Sequence, residues 1–169
     1  MAFPLALIPD GRALTGTYRA FSCRGRAVPA GSANEVKFLS SLVGALEHMY
    51  CVNPLAVYAT GFSGGAREVS QLACDDSTLF SAVAPVSGLR HPKPCPIKRA
   101  VPIIAFHGSN DPVDPFAGNG QAYWSYSVKT AANDWAKQDH CSKTPTISKS
   151  SSVVLSTYAH CAKGSAVEL

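Results

Sequence analysis

One stretch constrains this chain more than any other: Pro54-Leu55-Ala56-Val57-Tyr58-Ala59-Thr60 running into Gly61-Phe62-Ser63-Gly64-Gly65. An apolar, β-favouring run enters a Gly-x-Ser-x-Gly pentapeptide, and a segment of helical character leaves it. That order is the sequence form of a nucleophile elbow, in which a serine is held on a sharp strand-to-helix turn at the top of a sheet. The glycines have a physical reason to be there. The serine backbone is strained, and only residues without a Cβ let strand and helix approach so closely around it. The competing reading of the bare pentapeptide is a glycine-rich turn.

The flanking sequence indicates which fold would hold such a turn. Ser32-Ala33-Asn34-Glu35 matches a capping box, in which Ser and Glu satisfy each other's orphan backbone donors. Val36, Leu39, Leu42, Val43, Leu46, Met49 and Tyr50 then recur at helical spacing as one apolar stripe, which Asn53-Pro54 ends. A strand over about 55–60 enters the pentapeptide and a helix over about 64–73 leaves it. Leu79 to Gly88 reads as a buried strand ending in a turn, Arg90 to Pro96 as a proline-rich surface loop, and Val101 to Phe106 as a second buried strand. A helix over about 127–139 follows, with Val128, Ala131, Ala132 and Trp135 inward. Val153-Val154-Leu155 and Ala166-Val167-Glu168-Leu169 read as strands. Strands alternating with amphipathic helices predict an α/β protein with a mostly parallel sheet. Residues 1–31 read as an irregular N-terminal segment broken by glycines and prolines, with one strand between Leu14 and Phe21. Residues 32–169 form the domain.

Composition excludes several classes. The 169 residues carry a formal charge of +4 with scattered basic residues, which solvated loops explain better than a phosphate track does. No nucleic-acid partner is expected. No apolar run is long enough to span a membrane. Six cysteines occur without any C-x-x-C spacing, so a zinc or redox motif has no support. An even count at wide spacing fits up to three disulfides and an oxidising, extracellular compartment. Buried thiols in a cytosolic enzyme are the alternative.

In an open α/β sheet, ligands bind beyond the carboxyl ends of the strands. Ser63 follows one strand, and Asp111 lies in the loop after another. A serine hydroxyl needs a neighbouring imidazole as base, and that imidazole needs a carboxylate to fix its tautomer. Asp111 is placed for the carboxylate role, with Asp114 as the alternative. Either residue also reads as an Asx-turn beside a proline. The backbone N–H of Gly64 is the expected oxyanion donor, and a second donor has no obvious source. The histidine is the difficulty. Chain order in this arrangement is Ser, Asp, His, which leaves His140 and His160, each directly before a cysteine. His48 and His91 precede the acid, and His107 reads as a structural residue of the turn leading to Asp111. Tyr123, Trp124 and Tyr126 either line an apolar cleft or cover a helix end, and packing is the simpler of the two.

Val57 to Gly65, Phe80 to Gly88, and Val101-Pro102-Ile103-Ile104-Ala105-Phe106-His107-Gly108-Ser109-Asn110-Asp111-Pro112-Val113 together resemble esterases of the polyhydroxybutyrate depolymerase and feruloyl esterase type. The segments from Trp135 to Cys141 and around Cys161 are similar too, so the resemblance covers about residues 32–169 in motif order. It implies an α/β-hydrolase fold with a mostly parallel sheet and flanking helices, usually secreted, with Ser63 as nucleophile, Asp111 as triad acid and no cofactor. It also implies Cys141–Cys161 and Cys74–Cys95 as disulfides, leaving Cys23–Cys51 by elimination. Family members carry earlier strands with a His-Gly oxyanion loop and a Gly-Gly-His-x-Trp-Pro segment after a strand like Ala166 to Leu169, and neither is present here. The expectation is therefore an α/β-hydrolase lacking its early strands and its histidine loop, with apolar sheet left exposed. Two readings follow. One is a serine carboxylic ester hydrolase acting through an acyl-enzyme on a polyester, a feruloylated polysaccharide or a small acyl ester. The other is an inactive remnant that at most binds a polysaccharide or polyester.

Overall fold

The computed structural model describes residues 35–120 and 122–169, so the capping serine at 32, the segment 1–31 and its expected strand lie outside the described residues. Helix α1 spans Glu35–Met49 and is followed by a 3₁₀ turn at Pro54–Ala56. The turn opens with Asn53, whose side chain accepts from the N–H of Leu55 at 3.0 Å. Strand β1 (Tyr58–Phe62) enters the Ser63 turn and α2 (Gly64–Asp75) leaves it. Then come β2 (Ala82–Val86), β3 (Ile103–Ile104), α3 (Val128–Gln138), β4 (Thr146–Lys149), β5 (Val154–Tyr158) and β6 (Val167–Glu168).

The six strands form one sheet in the order β1-β2-β3-β6-β5-β4. The first four run parallel, and β5 and β4 complete the sheet antiparallel. This is an α/β fold with a mostly parallel sheet, as the alternation of elements implies. Alternation did not reveal β4. Thr146-Ile147-Ser148-Lys149 is exposed at every position, so it carries no apolar signal and is defined only by pairing with Val154 to Thr157.

Among the described residues, α2 and α3 pack on one face, and the reason is topological. Each parallel crossover from β1 to β2 to β3 to β6 steps in the same direction across the sheet. Right-handed crossovers that all step one way place their helices on one side. That covered face carries Val83, Ile103, Ala105 and Val167, which join Val69, Leu72, Ala73, Val128, Ala131, Ala132 and Trp135 in the core. The inward set of α3 is the one its spacing predicts. The opposite face exposes Tyr58 and Phe62 from β1, Ile104 from β3, and Phe106 just beyond it. Helix α1 packs on α2, with Val36, Leu39 and Val43 against the core and the Ser40 hydroxyl donating to Asp76 at 2.9 Å. The end of its stripe is not covered: Met49 and Tyr50 are 63% and 64% exposed. Packing on another helix rather than on the broad sheet covers only part of a stripe.

Two disulfides tie the loops to this frame, Cys74–Cys95 and Cys141–Cys161. Both are those the resemblance implies. Cys51 is exposed, and Cys23, with the third expected pairing, lies outside the described residues.

Candidate active site

Strands β1, β2 and β3 end in a single row. Phe62 is in register with Val86, and Val86 bridges Phe106. The next residue on each strand turns out of the sheet: Ser63, Ser87 and His107. Backbone bonds stitch the row together, with the Ser63 N–H donating to Val86 O at 2.9 Å and the Ser87 N–H to Phe106 O at 2.8 Å. Adjacent strands lie about 4.8 Å apart, so Ser63 is roughly 10 Å across the row from the start of the Asp111 loop.

Ser63 has φ 52° and ψ −113°. Left-handed φ is costly for a residue with a Cβ, on the order of 1–3 kcal/mol, and persists only where the surroundings impose it. Two glycines impose it here. A Cβ on Gly61 would run into the carbonyl carbon and oxygen of Gly65, and one on Gly88 would run into Ser63 O and lie 2.6 Å from Ala66 Cβ. Gly61 was legible in the pentapeptide. The role of Gly88 was not, because it acts across the sheet from the next strand. Serine at a helix N-cap ordinarily bonds an amide of the first turn, yet Ser63 makes no such bond. Its hydroxyl is kept out of its own helix. Gly64 opens α2, at the end of the helix where the dipole favours negative charge.

Asp111 and Asp114 divide the work that the sequence left open between them. Asp111 Oδ1 accepts from the N–H groups of Val113 and Asp114, both at 2.9 Å, so it does form the Asx-type turn. Its Oδ2 lies 3.8 Å from His107 Nε2. Burial pushes the Asp111 carboxyl up, but the N–H groups of Asp114 and Val113, the nearby His107 and the Ser87 hydroxyl outweigh it and hold the carboxyl below its ordinary range. It is therefore an anion at neutral pH. Asp114 is buried and accepts from Arg67 Nη1 at 2.7 Å through Oδ2. That bond commits it to α2.

His107 is enclosed. Its side chain is 1% exposed, it stacks on Trp124 with ring centroids 5.7 Å apart, and its Nε2 lies 2.7 Å from the backbone O of Asp114. Nε2 therefore carries a proton for that carbonyl, and the ring works as a structural residue. His140 and His160 lie at the other end of the sheet. β5 runs antiparallel to β6 with Tyr158 opposite Val167, so the chain beyond Tyr158 leaves at the amino ends of the parallel strands. The Cys141–Cys161 bridge holds both histidines there, beside Asp139, whose Oδ2 accepts from Val101 N–H at 3.1 Å. His91 contacts Gln138 at 2.5 Å and the edge of Trp135. His48 is exposed in the last turn of α1. None of the chain's five histidines stands between Ser63 and Asp111.

Trp124 is fully buried and donates to Pro115 O at 2.9 Å, with Tyr126 packed against it. It is core rather than cleft. Tyr123 lies under the Arg67 guanidinium, 5.0 Å from its ring centroid. Arg67 is the residue that the sequence reading missed. The available signal was a charge four residues after Ser63, between positions that face the core. Among the described residues no group of three or more His, Cys, Asp or Glu side chains could hold a metal, and no helix is long and apolar enough to cross a membrane.

No family model matches the chain. Feruloyl esterase B of Piromyces equi is 27% identical over 128 residues, covering 67% of this chain and 23% of that protein. A protein named putative esterase NocK, from Nocardia uniformis subsp. tsuyamanensis, is 33% identical over 86 residues, which is 50% of this chain and 25% of that one. Probable feruloyl esterase C of Aspergillus clavatus is 30% identical over 138 residues, 79% of this chain and 48% of that one. The chain thus spans about a quarter to a half of the length of these curated relatives. Together with an α/β sheet that carries a strained serine between strand and helix, these relatives support an esterase family for this chain.

Proposed function

We propose that the protein serves as the nucleophile- and acid-bearing part of a serine carboxylic ester hydrolase working through an acyl-enzyme. The observation that carries this reading is Ser63 itself: a left-handed serine at a helix N-cap that does not cap. Such strain is tolerated where a hydroxyl must face a ligand. Ser63 Oγ attacks the ester carbonyl carbon and passes its proton to an imidazole. The oxyanion so formed meets the Gly64 N–H at the positive end of α2. Collapse expels the alcohol, which takes the proton from the imidazolium and leaves the acyl group on Ser63. Water then repeats the sequence and regenerates the serine. Asp111, held as an anion, fixes the tautomer of that imidazole and stabilises its charged form.

The imidazole enters this reading as a group brought to the gap between Ser63 and Asp111 from outside these 169 residues, because none of the chain's five histidines is placed in that gap. The names of the relatives favour feruloyl and related aryl or acyl esters over polyhydroxyalkanoates. Two disulfides fit an extracellular site of action. The same placement of the histidines favours a second reading, a non-catalytic module that binds polysaccharide or polyester. Hydrolysis of p-nitrophenyl acetate and methyl ferulate by the 169-residue chain, with and without millimolar free imidazole, separates the two. Turnover that imidazole raises and Ser63→Ala abolishes is the expected result. Folded protein that never exceeds the Ser63→Ala background, while retaining polysaccharide or polyester, would leave only the binding reading.

A further inference from the structure

The geometry points to Arg67 and Asp114 as positioning residues that fix the distance between the nucleophile and its acid. This inference rests on the proposed roles of Ser63 and Asp111. Arg67 stands one helical turn beyond Ser63, and its N–H donates to Ser63 O at 3.2 Å, so its backbone moves with the elbow. Its guanidinium crosses to the loop after β3 and bonds Asp114 Oδ2 at 2.7 Å, with side chains only 11% and 3% exposed. Asp114 in turn donates its N–H to Asp111 Oδ1 at 2.9 Å and offers its carbonyl to His107 at 2.7 Å. One residue therefore ties the elbow helix, the acid and the end of β3 together.

The pair is a costly way to gain stability. Two buried charges lose their hydration, and a matched apolar pair is often equal or better. Asp114 also keeps its second oxygen, Oδ1, buried without a partner among the described residues. A buried ion pair is weak evidence for stability, and one that spans the two halves of a site is explained by the geometry it enforces. The Tyr123 ring against the guanidinium and nearby Gly64, where a Cβ would come within 3.8 Å of Nη2, leave Arg67 little freedom. Displacing a reacting group by about 1 Å can cost on the order of a hundredfold in rate.

The test replaces both charges together, Arg67→Met with Asp114→Leu, so that the net charge near Asp111 is unchanged. The first readout is the carboxyl carbon titration of Asp111 by NMR, which needs no activity. Loosening of the Val113 and Asp114 N–H bonds is expected to move that titration up toward the ordinary carboxylate range. The second is ester hydrolysis, in which kcat is expected to fall about tenfold or more with KM within about twofold. Arg67→Lys, which keeps the charge but not the fork, is expected to fall between wild type and the double variant. It also serves if the double variant does not fold. A folded variant whose Asp111 titration matches wild type overturns the inference. Absence of hydrolysis in the wild type with millimolar imidazole present would instead remove the proposed function, and the titration would still judge the tie between α2 and the acid loop.

Discussion

Replacing Gly61 by alanine tests whether the pentapeptide is a steric device or an ordinary glycine-rich turn. In the structure a Cβ at 61 overlaps the carbonyl carbon and oxygen of Gly65 and stands 3.0 Å from Ala66 N. All three are backbone atoms, so no rotamer change relieves the clash. Either β1 or the first turn of α2 must move. Overpacking usually costs 1–3 kcal/mol, and a clash with fixed backbone belongs at the upper end, about 3 kcal/mol. For a domain of this size each kcal/mol lowers Tm by about 2–4 °C, which gives a loss of roughly 6–12 °C. Gly65→Ala is the internal control. Nothing lies within 4 Å of a Cβ there, and the residue is exposed inside α2. Alanine in a helix is favoured over glycine by about 0.5–1 kcal/mol, so Tm should hold or rise by a few degrees. Calorimetric melts of the two variants beside wild type suffice. Equal melting of Gly61→Ala and wild type would refute the steric account of the elbow and restore the plain turn.

Two carboxyls make stability depend on pH in the direction opposite to ordinary acid denaturation. Burial, opposed by the bonds from Val101 and Ser165, pushes Asp139 up to about 6, and burial with the nearby Glu35 and Asp75 pushes Glu68 up to about 7. The folded state then holds these protons more tightly than the unfolded state. Their contribution is complete below about pH 4 and is lost as pH rises through 6 and 7. The urea midpoint is expected to be higher at pH 5 than at pH 8, and Asp139→Asn to shrink that difference. A midpoint that rises from pH 5 to 8 and ignores Asp139→Asn would contradict the assignment. The disulfides give a separate test. Each closes a loop of 20 or 21 residues, worth about 3 kcal/mol in the chain-entropy model. Cys74→Ala with Cys95→Ala should therefore lower Tm by roughly 6–12 °C. Peptide mapping without reductant that finds other pairings would remove the basis for that figure.

Local pattern was enough wherever the signal lies along the chain. The Gly-x-Ser-x-Gly turn, the inward face of α3 and the alternation of strand and helix follow from short-range sterics and from apolar period, both of which are sequence-local. The candidate site was legible as Ser63, directly after one strand, and Asp111, in the loop after another. Other features depended on registers between distant segments. Gly88 matters only because β2 ends against the elbow, and β4 exists only because β5 pairs with it. Arg67 meets Asp114 across 47 residues of sequence, where nothing local announces a partner. The direction of β5 decided the histidines. A strand turned antiparallel carries the residues after it to the opposite end of the sheet, and His160 went with it. Sequence order can say which residues follow a strand. Only the assembled sheet says at which end they emerge, because hydrogen-bond direction is a property of the pair and not of the strand.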